Sequence, residues 1–135
     1  WTKDVALSRL IALHVIRFVG IYFLLLCRRG SLSCAFATPA GWGDITVAIG
    51  AIILLAWLRA DRTGHTRVPL RLTLAWNILG LLDIVLVVIV AFRIGLGDWQ
   101  GMAPLRTLPL MLLPTFLVPT IIVSHILIFV RLTAR

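Results

Sequence analysis

The chain has 135 residues, 61% of them hydrophobic, a formal charge of +8 at neutral pH and a mean hydropathy of +1.07. That composition excludes an ordinary water-soluble domain. It also sets nucleic acid aside as a partner, because the Lys and Arg residues other than Arg17 punctuate the ends of apolar runs instead of gathering on one arm or face.

Four apolar segments follow one another, over residues 7–26, 39–58, 72–92 and 108–130. At about 1.5 Å rise per residue, roughly 20 residues cross a hydrocarbon core about 30 Å thick, so each segment predicts a transmembrane helix. The chain opens on Trp1 and not on Met, which points to a start lying further upstream. The first segment is not read as a signal peptide, although Ala35-Phe36-Ala37 resembles a cleavage site: its apolar run is long, is interrupted by His14 and Arg17, and is followed by Arg28 and Arg29. Arg17 stands about ten residues from either end of the segment, too deep to reach an interface by snorkelling. A central Arg costs about 2.5–3.5 kcal/mol on insertion scales, so it must face the interior and find a partner.

Cys27 and Cys34 follow, a disulfide candidate on the side predicted to be extracytoplasmic; their spacing matches no zinc or redox signature. The second segment reaches spanning length only by starting at Pro39, a residue suited to a first helical turn, and it then contains Asp44. His65, in the loop with Arg62 and Arg67, reads as solvated. The third segment places Asn77, Gly80 and Asp83 at i, i+3 and i+6, on one face where the glycine admits a neighbouring helix and the polar groups bond across it. In the fourth, Pro109 suits a first turn, while Pro114 and Pro119 remove backbone donors and free the carbonyls of Leu110 and Thr115, which kinks the helix.

The fold class is therefore all-α: a single transmembrane domain over residues 1–135, an integral membrane four-helix bundle with up-down topology. Eight basic residues (Lys3, Arg9, Arg59, Arg62, Arg67, Arg71, Arg131 and Arg135) fall on one side of it and four (Arg28, Arg29, Arg93 and Arg106) on the other, which makes both termini cytoplasmic in a bacterial inner membrane. Trp42 and Trp99 then mark the outer interface, Trp57 and Trp76 the inner one.

Depth brings the polar residues into two layers. Asp83 lies level with Arg17 and is the favoured partner by depth, with Asp44 the other candidate; Arg17, Asp44, Asn77 and Asp83 make up the intramembrane polar network. Nearer the cytoplasm, His14 and His125 both fall about 9–10 Å above the inner edge, with Asn77 close by. Two imidazoles on facing helices can ligate a b-type haem, and the same histidines with Arg17 can donate to a quinone. The alternative is a pair of hydrogen-bonded core histidines. A metal site would need ligands this layer lacks.

The stretches "ALHVIRFVGIYFLLL", "FATPAGWGDI", "AWNILGLLDI" and "LPTFLVPTIIVSHILIF" resemble those of small four-span bacterial membrane proteins without an established function. That resemblance covers most of the chain, implies the same topology and transfers no functional residue.

Walker A, H-E-x-x-H and G-x-S-x-G motifs are absent, and no catalytic residue is assigned. Short loops and small-residue seams point to an accessory or structural subunit that docks to other membrane proteins within the bilayer and touches anionic lipid head groups. A second reading, from another class, is a haem- or quinone-binding redox protein using His14, His125 and Arg17. A third is a small transporter or channel using Asp44, Asp83 and the kinked fourth helix.

Overall fold

In a computed structural model of the chain, residues 6–60 and 70–133 are described, and among them there is helix and no strand. Lys3, His65, Arg62, Arg67 and Arg135 lie outside the described residues. Among the described residues four helical stretches are long and apolar enough to cross a membrane: Leu7–Arg28, Cys34–Ala60, Leu70–Gly97 and Leu113–Thr133.

The first stretch is not one regular helix. It runs as α1 (Leu7–Leu13), a 3-10 segment (His14–Phe18) and α2 (Val19–Arg28). A 3-10 winding has about 3.0 residues per turn, so residues three apart eclipse, whereas in an α-helix they diverge by about 60°. His14 and Arg17 are therefore carried on one line into the interior, and both are buried. The helix ends at Gly30, whose positive φ of 67° suits a left-handed stop, with Ser31 N–H returning to the Leu26 carbonyl.

The second stretch, α3 (Cys34–Ala60), starts five residues before the expected Pro39. Ser33 accepts the first backbone bonds, from Phe36 and Ala37 (3.1 and 2.9 Å), and Pro39 sits inside the helix instead of opening it. α4 (Leu70–Gly97) runs past the expected end at 92 and carries an exposed Arg93 on its last turns. The fourth stretch begins later than expected: residues near 108 form turns, and the helix starts as a π-turn (Leu113–Leu117) leading into α5 (Val118–Thr133). In the π-turn Val118 N–H bonds to the Leu113 carbonyl, five residues back. Pro114 falls at the second position of the stretch, where a missing donor costs least, whereas Pro119 lies where the π-turn passes without a break into α5. The Leu110 carbonyl, expected to be freed by Pro114, accepts from the Leu113 N–H at 3.0 Å, and the hydroxyls of Thr115 and Thr120 donate to the Met111 and Phe116 carbonyls (2.7 Å each).

Contacts alternate in direction around the bundle. Gly20 meets Gly41 while Cys27 meets Cys34; Trp76 meets Gly50 while Asp83 meets Gly43; His14 meets Ser124. The helices are thus antiparallel in sequence, and α1 closes the ring against α5. One apolar cluster, around Ile11, Ala51, Leu54 and Ile128, fills the end that holds Leu7 and Thr133. A second, around Phe23, Leu32, Phe36 and Met102, fills the end that holds the 27–34 connector. There the Ser33 N–H donates to the Gly101 carbonyl at 2.8 Å, tying the two connectors together.

Candidate functional site

A polar layer separates the two clusters. Its centre is Arg17, side chain 1% exposed, which donates from Nε to Asp44 Oδ1 at 2.6 Å, from Nη1 to the Gly80 carbonyl at 3.1 Å and from Nη2 to Asp83 Oδ2. The sequence leaves two carboxylates competing for this arginine; the structure gives it both. They approach because the helices meet at glycines: a Cβ on Gly20 would stand 2.5 Å from the Gly41 carbonyl oxygen, and one on Gly43 would collide with the Asp83 carboxylate. Of the five N–H donors on a guanidinium, three are engaged, which leaves two. One positive charge faces two carboxylates, so the cluster has no net affinity for an anion.

The second layer holds the histidines. His14 Nε2 lies 2.9 Å from Ser124 Oγ, and that hydroxyl donates to the Ile121 carbonyl, so the imidazole is the donor of the pair. Asn77 Nδ2 donates to the His125 carbonyl at 3.1 Å, which turns Asn77 Oδ1 toward His125 Nδ1 at 2.8 Å and makes that nitrogen the donor. Both tautomers follow from these assignments. Each ring keeps one bare acceptor, His14 Nδ1 and His125 Nε2, without a partner among the described residues. The ring centroids are 4.2 Å apart, His125 rests on Gly80, and Trp76 stands edge-on to His14 at 5.1 Å.

This arrangement does not fit a haem between His14 and His125. The two rings touch, the Nε2 of His14 is engaged by Ser124, and a porphyrin has no slot between them. Asn77 serves His125, while His14 takes Ser124, a residue sequence reasoning missed. Trp76, placed by sequence at an interface, is 9% exposed and donates from Nε1 to the Val47 carbonyl at 3.0 Å; Trp42, Trp57 and Trp99 are exposed. Among the described residues no group of three or more His, Cys, Asp or Glu is arranged to hold a metal ion.

Beyond the polar layer, toward the connector end, lies a cavity of about 310 Å³ between α4 and the fourth stretch. Its apolar walls include Phe23, Val88, Ala91, Leu113 and Ile122; Arg17 and Asp44 are its polar lining. The π-turn residues Leu113, Pro114 and Leu117 line it, and the histidines are not among its lining. At the same end Cys27 and Cys34 are joined in a disulfide, with Cα atoms 4.9 Å apart.

No curated protein and no solved structure matches the chain. Residues 1–133 match the family described as "Domain of unknown function (DUF8737)". The match runs over nearly the whole chain, and the chain belongs to that family.

Proposed function

We propose that the chain is a multi-pass protein of a bacterial cytoplasmic membrane, with both termini on the cytoplasmic side, and that it binds a neutral, lipid-soluble molecule of the quinone class. The observation that carries the reading is the cavity whose apolar walls end on Arg17 and Asp44. Binding sites for small molecules are mostly apolar with a few convergent polar groups, which this lining matches. The two uncommitted Arg17 N–H groups suit a carbonyl oxygen, and the Asp44 carboxylate suits a hydroxyl. The excess carboxylate disfavours an acidic head group, which separates this ligand class from fatty acids. In this reading Arg17 donates to the quinone, as the sequence leads one to expect, and Asp44 takes the place of the histidines.

The test is titration of delipidated protein with a decyl-substituted benzoquinone, followed by quenching of tryptophan fluorescence. Saturable quenching is expected, and Ala91→Phe, which fills the cavity without touching the charges, should abolish it while circular dichroism stays helical. Quenching that never saturates, or that is unchanged in Ala91→Phe, overturns the reading.

A second reading, an accessory subunit docked to another membrane protein, is favoured by α4. Only 11% of its most apolar window is buried, against 39% for Leu7–Arg28, so one helix presents most of its apolar surface outward. Native mass spectrometry from mild detergent would show a second chain at fixed stoichiometry; a bare 15.0 kDa monomer counts against it.

A further inference from the structure

At the end of the bundle that holds Leu7 and Thr133, a groove of about 710 Å³ opens between α1 and the last turns of α3. Ser8, Arg9 and Ala12 form one wall, Leu55, Leu58 and Arg59 the other. Both arginines are exposed, one in the first turn of its helix and one in the last. Neither is in an ion pair among the described residues. The three described carboxylates are far from the groove: Asp44 and Asp83 hold Arg17, and Asp98 accepts from the Gly101 N–H at the opposite end. Arg106, at that opposite end, is occupied differently: it donates to the Trp99 carbonyl at 2.6 Å and stacks 3.6 Å over the Trp99 ring. Two guanidinium groups without an ion-pair partner among the described residues therefore line one groove together with a hydroxyl and two leucine side chains.

We propose that this groove binds the head group of an anionic phospholipid. Guanidinium groups match phosphate oxygens in a two-pronged geometry, and two of them from different helices can grip one phosphodiester from both sides. Leu55, Leu58 and Ala12 continue the groove along the helices, where an acyl chain would lie. A free phosphate would use the arginines and leave that apolar floor uncovered, which is why a lipid is the occupant. The site rests on the membrane reading given above and not on the quinone cavity, which lies on the other side of the polar layer.

The experiment is native mass spectrometry of the full chain in detergent, titrated in parallel with phosphatidylglycerol, phosphatidylcholine and inorganic phosphate. One phosphatidylglycerol should bind about tenfold to thirtyfold more tightly than phosphatidylcholine, from two basic residues near a lipid surface. Arg9→Gln/Arg59→Gln should bring the two lipids within about twofold, each single variant should fall between, and raised salt should weaken the preference. Arg28→Gln/Arg29→Gln, at the opposite end, should leave it unchanged. Equal binding of both lipids by the unmodified chain, a preference that survives in the double variant, or displacement of the lipid by millimolar phosphate each overturns the proposal. Protein that stays soluble without detergent and retains no lipid of either kind would instead refute the membrane reading beneath it.

Discussion

Replacing Gly20 by alanine tests the contact on which the polar layer depends. The added Cβ would lie 2.5 Å from the Gly41 carbonyl oxygen, 2.9 Å from Asp44 Cβ and 3.1 Å from Gly41 Cα, and two of these three are backbone atoms that no rotamer change can move. Ordinary contact begins near 3.4 Å, so α2 and α3 must part by about 0.9 Å at this point. Arg17 and Asp44 flank that point on the same two helices, and their 2.6 Å bond would stretch toward 3.5 Å, the limit of a hydrogen bond. Overpacking of this kind costs about 1–3 kcal/mol. Gly95→Ala is the control: nothing lies within 4 Å of its Cβ, and it sits inside α4, where alanine gains up to about 1 kcal/mol over glycine. Unfolding in mixed micelles with increasing denaturing detergent, followed by circular dichroism, should order the proteins as Gly95→Ala, unmodified chain, Gly20→Ala. If Gly20→Ala is as stable as the unmodified chain, the close approach of the two glycines does not hold the layer together.

Arg17→Gln should cost about 3–5 kcal/mol in the same assay, because a buried and a half-buried carboxylate lose the one cation that the described residues give them. Asp44→Asn should cost less, about 1–3 kcal/mol, since Arg17 and Asp83 remain a balanced pair, and the double variant should fall short of the sum of the two losses; equal costs for the two single changes would refute the charge count. The Cys27–Cys34 bridge should take up no maleimide until it is reduced and two afterwards, and Cys27→Ser/Cys34→Ser should lose about 2–3 kcal/mol from release of a short loop. Protein that alkylates before reduction would show that the bridge is not formed.

The number of helices and the depth of each polar residue could be read from the residues themselves, because spacing along an apolar run is a ruler of about 1.5 Å per step. That ruler brought Arg17 level with Asp83, and His14 level with His125. It could not choose between partners at one depth, which depends on how helices rotate about their axes. Arg17 therefore takes both aspartates, and Ser124 reaches His14 although nothing in its neighbourhood distinguishes it from a serine bonded to its own helix. Pro114 and Pro119 announced a disturbance in the fourth helix but not its form, since a π-turn is chosen by the packing around it. The cavity was illegible too: it is space lined by side chains of several helices, and space has no residue of its own.

The 3-10 winding of residues 14–18 joins the backbone to the charge at the centre of the molecule. Over five residues it is about 2.5 Å longer than α-helix would be, and it keeps His14 and Arg17 in line. Were the segment to relax to α geometry, one of the two would swing about 60° out of the interior, which neither a guanidinium between two carboxylates nor a histidine held by Ser124 can follow. Winding and ion pairing thus meet in Arg17: the turn that carries it inward is the turn that its two carboxylates and the Gly80 carbonyl hold in place.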